Sequence, residues 1–221
     1  FFQGIFDKAR LLDLIKNFLC FDKADGKAWK ILGAYHQYFA VNKALQRTFD
    51  AVKGDGKIGV FWHTQGSGKT ALSYYNVKAL TDYFQKKGSI AKFYFIVDRL
   101  DLMKQAAGEF NKRGLSVELV KDKEAFVSNI QSQSSNDEKG NPVINVVNIQ
   151  KFSADSVTKK ADYNLNVQRV YFLDEAHRSY NPKGSFLANL INSDRDAIII
   201  ALTGTPLIGE DNNTKATSGD Y

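Results

Sequence analysis

The stretch IGVFWHTQGSGKTALSYY (58–75) runs an apolar segment into a loop containing Gly66, Ser67 and Gly68, then sets Lys69 and Thr70 at the opening of a helical pattern. Glycines break regular structure, and a lysine at a helix start faces the positive end of the helix dipole. The arrangement is locally unfavourable unless an anion sits there. Strand, glycine loop and helix in this order form the context of a phosphate-binding loop. The backbone of Thr64, Gln65, Gly66, Ser67 and Gly68 turns its N–H groups inward to cradle phosphate oxygens. Lys69 reaches the β- and γ-phosphates, and the Thr70 hydroxyl takes a Mg²⁺ position. The common form of this loop begins with glycine where the chain has His63. The expected ligand is a nucleoside triphosphate with Mg²⁺.

A second element answers the first. QRVYFLDEAHRS (168–179) places Asp174 and Glu175 just past another apolar run. Two acids after a strand would, by themselves, suit an ordinary helix N-terminus. Beside a phosphate loop they acquire roles: Asp174 holds Mg²⁺ through water, and Glu175 orients and deprotonates an attacking water. The implied chemistry is hydrolysis of the γ-phosphate. A third element, AIIIALTGTPL (197–207), ends in Thr203, Gly204 and Thr205, small groups able to hydrogen-bond a neighbouring side chain. His177 is the candidate partner, and a strand-terminal turn closed by Pro206 is the plainer alternative.

Outward from these motifs the chain alternates. Strands are expected at 57–62, 92–97, 116–120, 143–148, 168–173 and 197–202, with helices at 69–87, 101–112 and 122–131 between them. Nearly continuous apolar runs of this length suit parallel strands buried on both faces. The fold class is therefore α/β, a doubly wound, mostly parallel sheet flanked by helices. Ahead of it, Ile5, Leu12, Ile15 and Leu19 recur near a helical period, residues 22–27 break the pattern, and a second helix covers 34–52. The polar, turn-rich segment 132–142 reads as an exposed mobile loop.

The totals fit. Of 221 residues, 43% are hydrophobic and 24% charged, as in a globular domain with a real core. No run approaches a membrane span, and nothing resembles a signal peptide. The lone Cys20 forms no internal disulfide and reads as a buried thiol of a reducing cytoplasm. The formal charge of +6 favours polyanions without deciding anything. A start at Phe1 and a polar end suggest a piece of a longer polypeptide.

WHTQGSGKT, DEAH and LTGTPL, in this order, resemble motifs I, II and III of superfamily 2 helicases, some families of which also lack the first glycine. The wording is most similar to the motor (R) subunit of type I restriction-modification enzymes. YHQYFAVNKAL (35–45) resembles that family's adenine-recognition region, IVDRLDLMKQ (96–105) its motif Ia, and VVNIQKF (146–152) the next DNA-contacting motif. The resemblance implies a RecA-like sheet in which the motif III strand lies between those of the loop and of DEAH. It implies that Gln37 reads the adenine edge, and that Thr203 and Thr205 lie beside the phosphate and His177. Arg99 and Lys151 become candidate contacts to double-stranded DNA, with solvated surface charge as the alternative.

By the same resemblance, residues 1–33 form a helical linker after a nuclease domain and 34–207 the first RecA-like lobe. Residues 208–221 lead to an absent second lobe that carries the arginine finger. Partners would be duplex DNA and the methyltransferase and specificity subunits. The alternatives are another superfamily 2 motor, such as a type III restriction subunit, or a nucleotide-binding regulatory module without nucleic acid.

Overall fold

In a computed structural model the described residues are 2–24, 26–51, 57–62, 64, 66–149, 163, 166–175, 190, 194 and 196–204. Gln65, Lys151, His177, Thr205 and the segment 208–221 lie outside them.

The chain opens with helices α1 (Phe2–Ile5) and α2 (Lys8–Asn17), strands β1 (Leu19–Ala24) and β2 (Lys27–Leu32), and helix α3 (Tyr35–Ala51). Then come β3 (Lys57–Trp62), α4 (Lys69–Lys86), β4 (Ile90–Val97), α5 (Leu100–Lys112), β5 (Ser116–Val120) and α6 (Lys123–Gln131). Strands β6 (Val143–Asn148), β7 (Val167–Asp174) and β8 (Ile198–Thr203) complete the set.

Six strands form one parallel sheet in the order β3-β8-β7-β4-β6-β5. Alternating residues of each strand feed two cores, as the two-residue period of a strand requires. Phe93, Phe95, Phe172, Ile198, Ile200 and Leu202 join Leu72, Leu80 and Phe110 of α4 and α5 on one face. Tyr94, Ile96, Tyr171, Leu173, Ile199 and Ala201 join Phe126 and Ile130 of α6 on the other. Burial on both faces is why these strands read as unbroken apolar runs.

The opening 33 residues depart from the helical appendage expected. The break at 22–27 falls at the tip of an antiparallel hairpin, β1 with β2, where Gly26 sits at φ +75° between Ala24 and its partner Lys27. Its signal is present in the sequence, since Asp25-Gly26 is a two-residue turn pair. The buried face of α2 also differs from the one that the apolar spacing suggests. Leu12 and Ile15 are exposed, whereas Leu14 and Phe18 enter the main core.

Segment 132–142 is exposed but internally bonded. Asp137 accepts from the backbone N–H groups of Lys139 at 2.9 Å and Asn141 at 2.8 Å, and from the Asn141 side chain at 3.0 Å. A hydrogen bond from the Ser116 hydroxyl, with those from Asn141, holds its carboxyl well below the usual range.

One buried ion pair fastens the second core. Arg169 meets Asp194 through two hydrogen bonds, Nε to Oδ2 at 2.5 Å and Nη2 to Oδ1 at 2.7 Å, and Tyr171 donates to Oδ2 at 2.9 Å. Removing one partner of such a pair leaves a buried charge uncompensated, at a cost of roughly 3–5 kcal/mol. Asp194→Ala is expected to lower the unfolding free energy by about that amount in urea denaturation. A loss below about 1 kcal/mol would place the pair in water instead.

Candidate active site

The glycine loop leaves the carboxyl end of β3 and α4 begins at Lys69, as the sequence predicts. Gly66 and Gly68 hold φ values of +80° and +82°, a left-handed backbone that L side chains seldom adopt. At Gly68 there is a second reason for glycine. A Cβ there would stand 2.8 Å from the side-chain nitrogen of Gln37.

Gln37 comes from α3 and is 8% exposed. Its Oε1 accepts from the Ala34 N–H at 3.0 Å, and its Nε2 donates to the Gly68 carbonyl at 3.3 Å. The neighbouring His36 places Nε2 3.4 Å from the Ser67 carbonyl. The segment that resembles an adenine-recognition region is thus bonded to the phosphate loop itself.

Lys69 and Glu175 meet across the site, Nζ to Oε1 at 3.4 Å, with side chains 10% and 20% exposed. Glu175 follows the last residue of β7 at φ +50°, a conformation costing a non-glycine residue about 1–2 kcal/mol. Strain of this kind persists where surrounding structure imposes it, and here it aims the carboxylate at the lysine.

Asp174 is held up to about 6, first by burial, next by the charge of Glu175, with Lys69 acting in the opposite direction. Two adjacent carboxylates with one lysine between them are short of positive charge. A divalent cation would supply it, and Thr70 offers a hydroxyl on the same cavity wall. The donor set therefore suits Mg²⁺.

Lys69, Thr70, Asp174, Glu175, Gly66 and Gly68 line a single cavity of about 290 Å³. A cavity of about 620 Å³ lies elsewhere, beside Lys92, Glu118 and Asn145 at the amino-terminal end of the strands. Location outweighs size here, because open α/β sheets bind ligands beyond the carboxyl ends of their strands.

β8 lies between β3 and β7, as the resemblance implies. Its register sets Thr203 level with Trp62 and Leu202 level with Asp174. Thr203 is fully buried and Gly204 follows it at the same strand ends as the glycine loop. Arg99 caps the start of α5, directly after β4 and Asp98, and pairs with Asp101 at 3.2 Å with both side chains largely in water. An exposed pair of this kind is worth at most about 1 kcal/mol and does not withhold the guanidinium from another anion.

Two features of the site were not singled out from the sequence. Gln105 and Glu109 of α5, with Arg113 just past its end, also line the cavity. The indole N–H of Trp62 donates to the Gly204 carbonyl at 3.2 Å. Trp62 stands immediately before the loop, but its partner is 142 positions away. Local pattern carries no trace of that.

Residues 36–221 match the model of the SWI2/SNF2 ATPase family. The chain belongs to the SWI2/SNF2 ATPases. Among curated relatives, this ATPase is 33% identical to the type I restriction enzyme HindI endonuclease subunit of Haemophilus influenzae, over 99% of the chain and 22% of that protein. It is 30% identical to the putative type I restriction enzyme MjaIXP endonuclease subunit of Methanocaldococcus jannaschii, over 99% of the chain and 20% of that protein. The chain thus spans about a fifth of the length of these relatives.

In fold, the ATPase resembles the Hef helicase domain of Pyrococcus furiosus, with a TM-score of 0.55 at 16% identity, covering 85% of this chain and 36% of that one. It also resembles a nuclease-deletion mutant of the Type ISP restriction-modification enzyme LlaGI solved with a DNA substrate mimic. There the TM-score is 0.53 at 16% identity, covering 86% of this chain and 19% of that one. No described helix is long and apolar enough to cross a membrane.

Proposed function

We propose that this ATPase is the first RecA-like lobe of a type I restriction motor subunit, in which ATP hydrolysis drives movement of duplex DNA before cleavage. The observation that carries the reading is the single cavity shared by Lys69, Thr70, Asp174 and Glu175, in a chain whose curated relatives are type I endonuclease subunits.

In this reading the amides of Thr64, Gln65, Gly66, Ser67 and Gly68 hold the phosphates, and Lys69 leaves Glu175 for the β- and γ-phosphates. Thr70 and Asp174 hold Mg²⁺, which when bound neutralises charge on the phosphate oxygens. Glu175, released from the lysine, takes the proton of the attacking water. Gln37, already bonded to Gly68, links base recognition to the loop. Arg99 and Lys151 contact DNA phosphates, while His177, Thr203, Gly204 and Thr205 couple hydrolysis to movement. Methyltransferase and specificity subunits complete the assembly.

A triplex-displacement assay tests the reading. The full-length polypeptide, assembled with those subunits on a duplex bearing the recognition site, should displace a third strand only with ATP and Mg²⁺. His177→Ala should lower displacement per ATP hydrolysed more than it slows hydrolysis itself. Hydrolysis that neither depends on DNA nor displaces the strand would leave a nucleotide-binding regulatory module as the better description.

A further inference from the structure

Trp62 is the last residue of β3, and the backbone pairing of β3 with β8 ends at Trp62 opposite Thr203. Past that row β3 leads toward the phosphate loop and β8 to Gly204. The next carbonyl, that of Gly204, accepts from the Trp62 indole N–H at 3.2 Å. The side chain thereby extends the strand ladder by one rung, past the point where backbone can reach.

The ring itself does not explain the residue. Trp62 is 57% exposed, so most of its surface is not gaining from burial. Its neighbour Phe61 is the side chain of that strand end which packs on the core. What tryptophan adds at position 62 is a rigid arm ending in a donor, with two torsions to fix and no flexible chain to order.

We propose that Trp62 is a positioning residue that couples the phosphate loop to the end of β8 at Gly204. This rests on the proposed motor function and adds to it the physical link between the two motifs. In this proposal a shift of the loop relative to a γ-phosphate also moves its root at Trp62. The indole then carries that shift into Gly204, next to Thr203 and two residues past Leu202, the partner of Asp174. The link runs sideways across neighbouring strands and bypasses the cavity. Nucleotide contact is accordingly left to the loop, and the indole sets how hydrolysis and movement follow from it.

The test separates the donor from the ring. In the full-length polypeptide Trp62→Phe keeps an aromatic ring and loses the donor. Replacement by β-(3-benzothienyl)alanine, through amber suppression, keeps the bicyclic shape and exchanges N–H for sulfur. Both variants should lower DNA-stimulated kcat and strand displacement per ATP by about three- to tenfold, the range of one lost hydrogen bond, with KM for ATP within about twofold of wild type. Wild-type turnover and displacement in the benzothienyl variant would overturn the proposal. So would a rise in KM matching the fall in kcat, since that marks a loop merely misplaced for nucleotide. Lys69→Ala, run alongside, keeps the two levels apart. If it hydrolyses ATP normally, the motor reading itself fails. If it is dead while both Trp62 variants behave as wild type, only the coupling role fails.

Discussion

Lys69→Ala weakens ATP binding by about 100-fold or more, the expected outcome when the cation paired with Glu175 is lost from a cavity that also holds Asp174. A charge-assisted hydrogen bond of this kind is worth about 1.5–3 kcal/mol, and Lys69 is placed to make more than one of them. The substitution also acts before nucleotide arrives. Lys69 lies 3.4 Å from Glu175 and opposes the upward shift of Asp174. Without it, two neighbouring carboxylates face the incoming polyphosphate with no positive side chain between them. Titration with a fluorescent ATP analogue in the presence of Mg²⁺ measures the effect. Equal affinity in wild type and variant would remove Lys69 from the phosphate site and undo the roles built around it.

Glu175→Gln should separate binding from chemistry. The amide still hydrogen-bonds water but does not accept its proton at neutral pH, and loss of a positioned general base costs about 10²–10⁴ in rate. Binding should survive and tighten a few-fold. Glu175 engages Lys69 in an ion pair that phosphate must displace, and a neutral amide competes less. Glutamine has the same length as glutamate, so the strain of the φ of +50° at position 175 should carry over unchanged. Single-turnover hydrolysis and analogue titration on the same preparation give both numbers. Near-normal turnover would show that another group serves as the base. A fall in affinity parallel to the fall in rate would mean that Glu175 supports the loop and takes no proton.

The residues that gather at the candidate site are legible in the sequence because their arrangement is local. A strand, a turn needing left-handed glycines and a helix start are specified within about fifteen residues, and IGVFWHTQGSGKT contains all three. Asp174 and Glu175 were found the same way, at the end of an apolar run whose two-sided burial erases alternation. The hairpin of β1 and β2 carried its own local signal in Asp25-Gly26. The helical period ahead of it points elsewhere, to Leu12 and Ile15, which the fold leaves in water. A short amphipathic pattern says where a stripe lies and cannot say what covers it.

The residue types, the loop, the order of the motifs and the succession of strands and helices were determined by the sequence itself, through local sterics and apolar periodicity. The tertiary structure decided which strands are neighbours, and so placed β8 between β3 and β7 and set Leu202 beside Asp174. It also decided that Gln37 would bond to Gly68, Glu175 to Lys69, and Trp62 to Gly204. These contacts depend on the packing of elements far apart in the chain, whose closure is driven by non-directional burial of apolar surface. Burial of that kind leaves no spacing rule in the text, and only the folded arrangement shows which polar groups it brings within reach of one another.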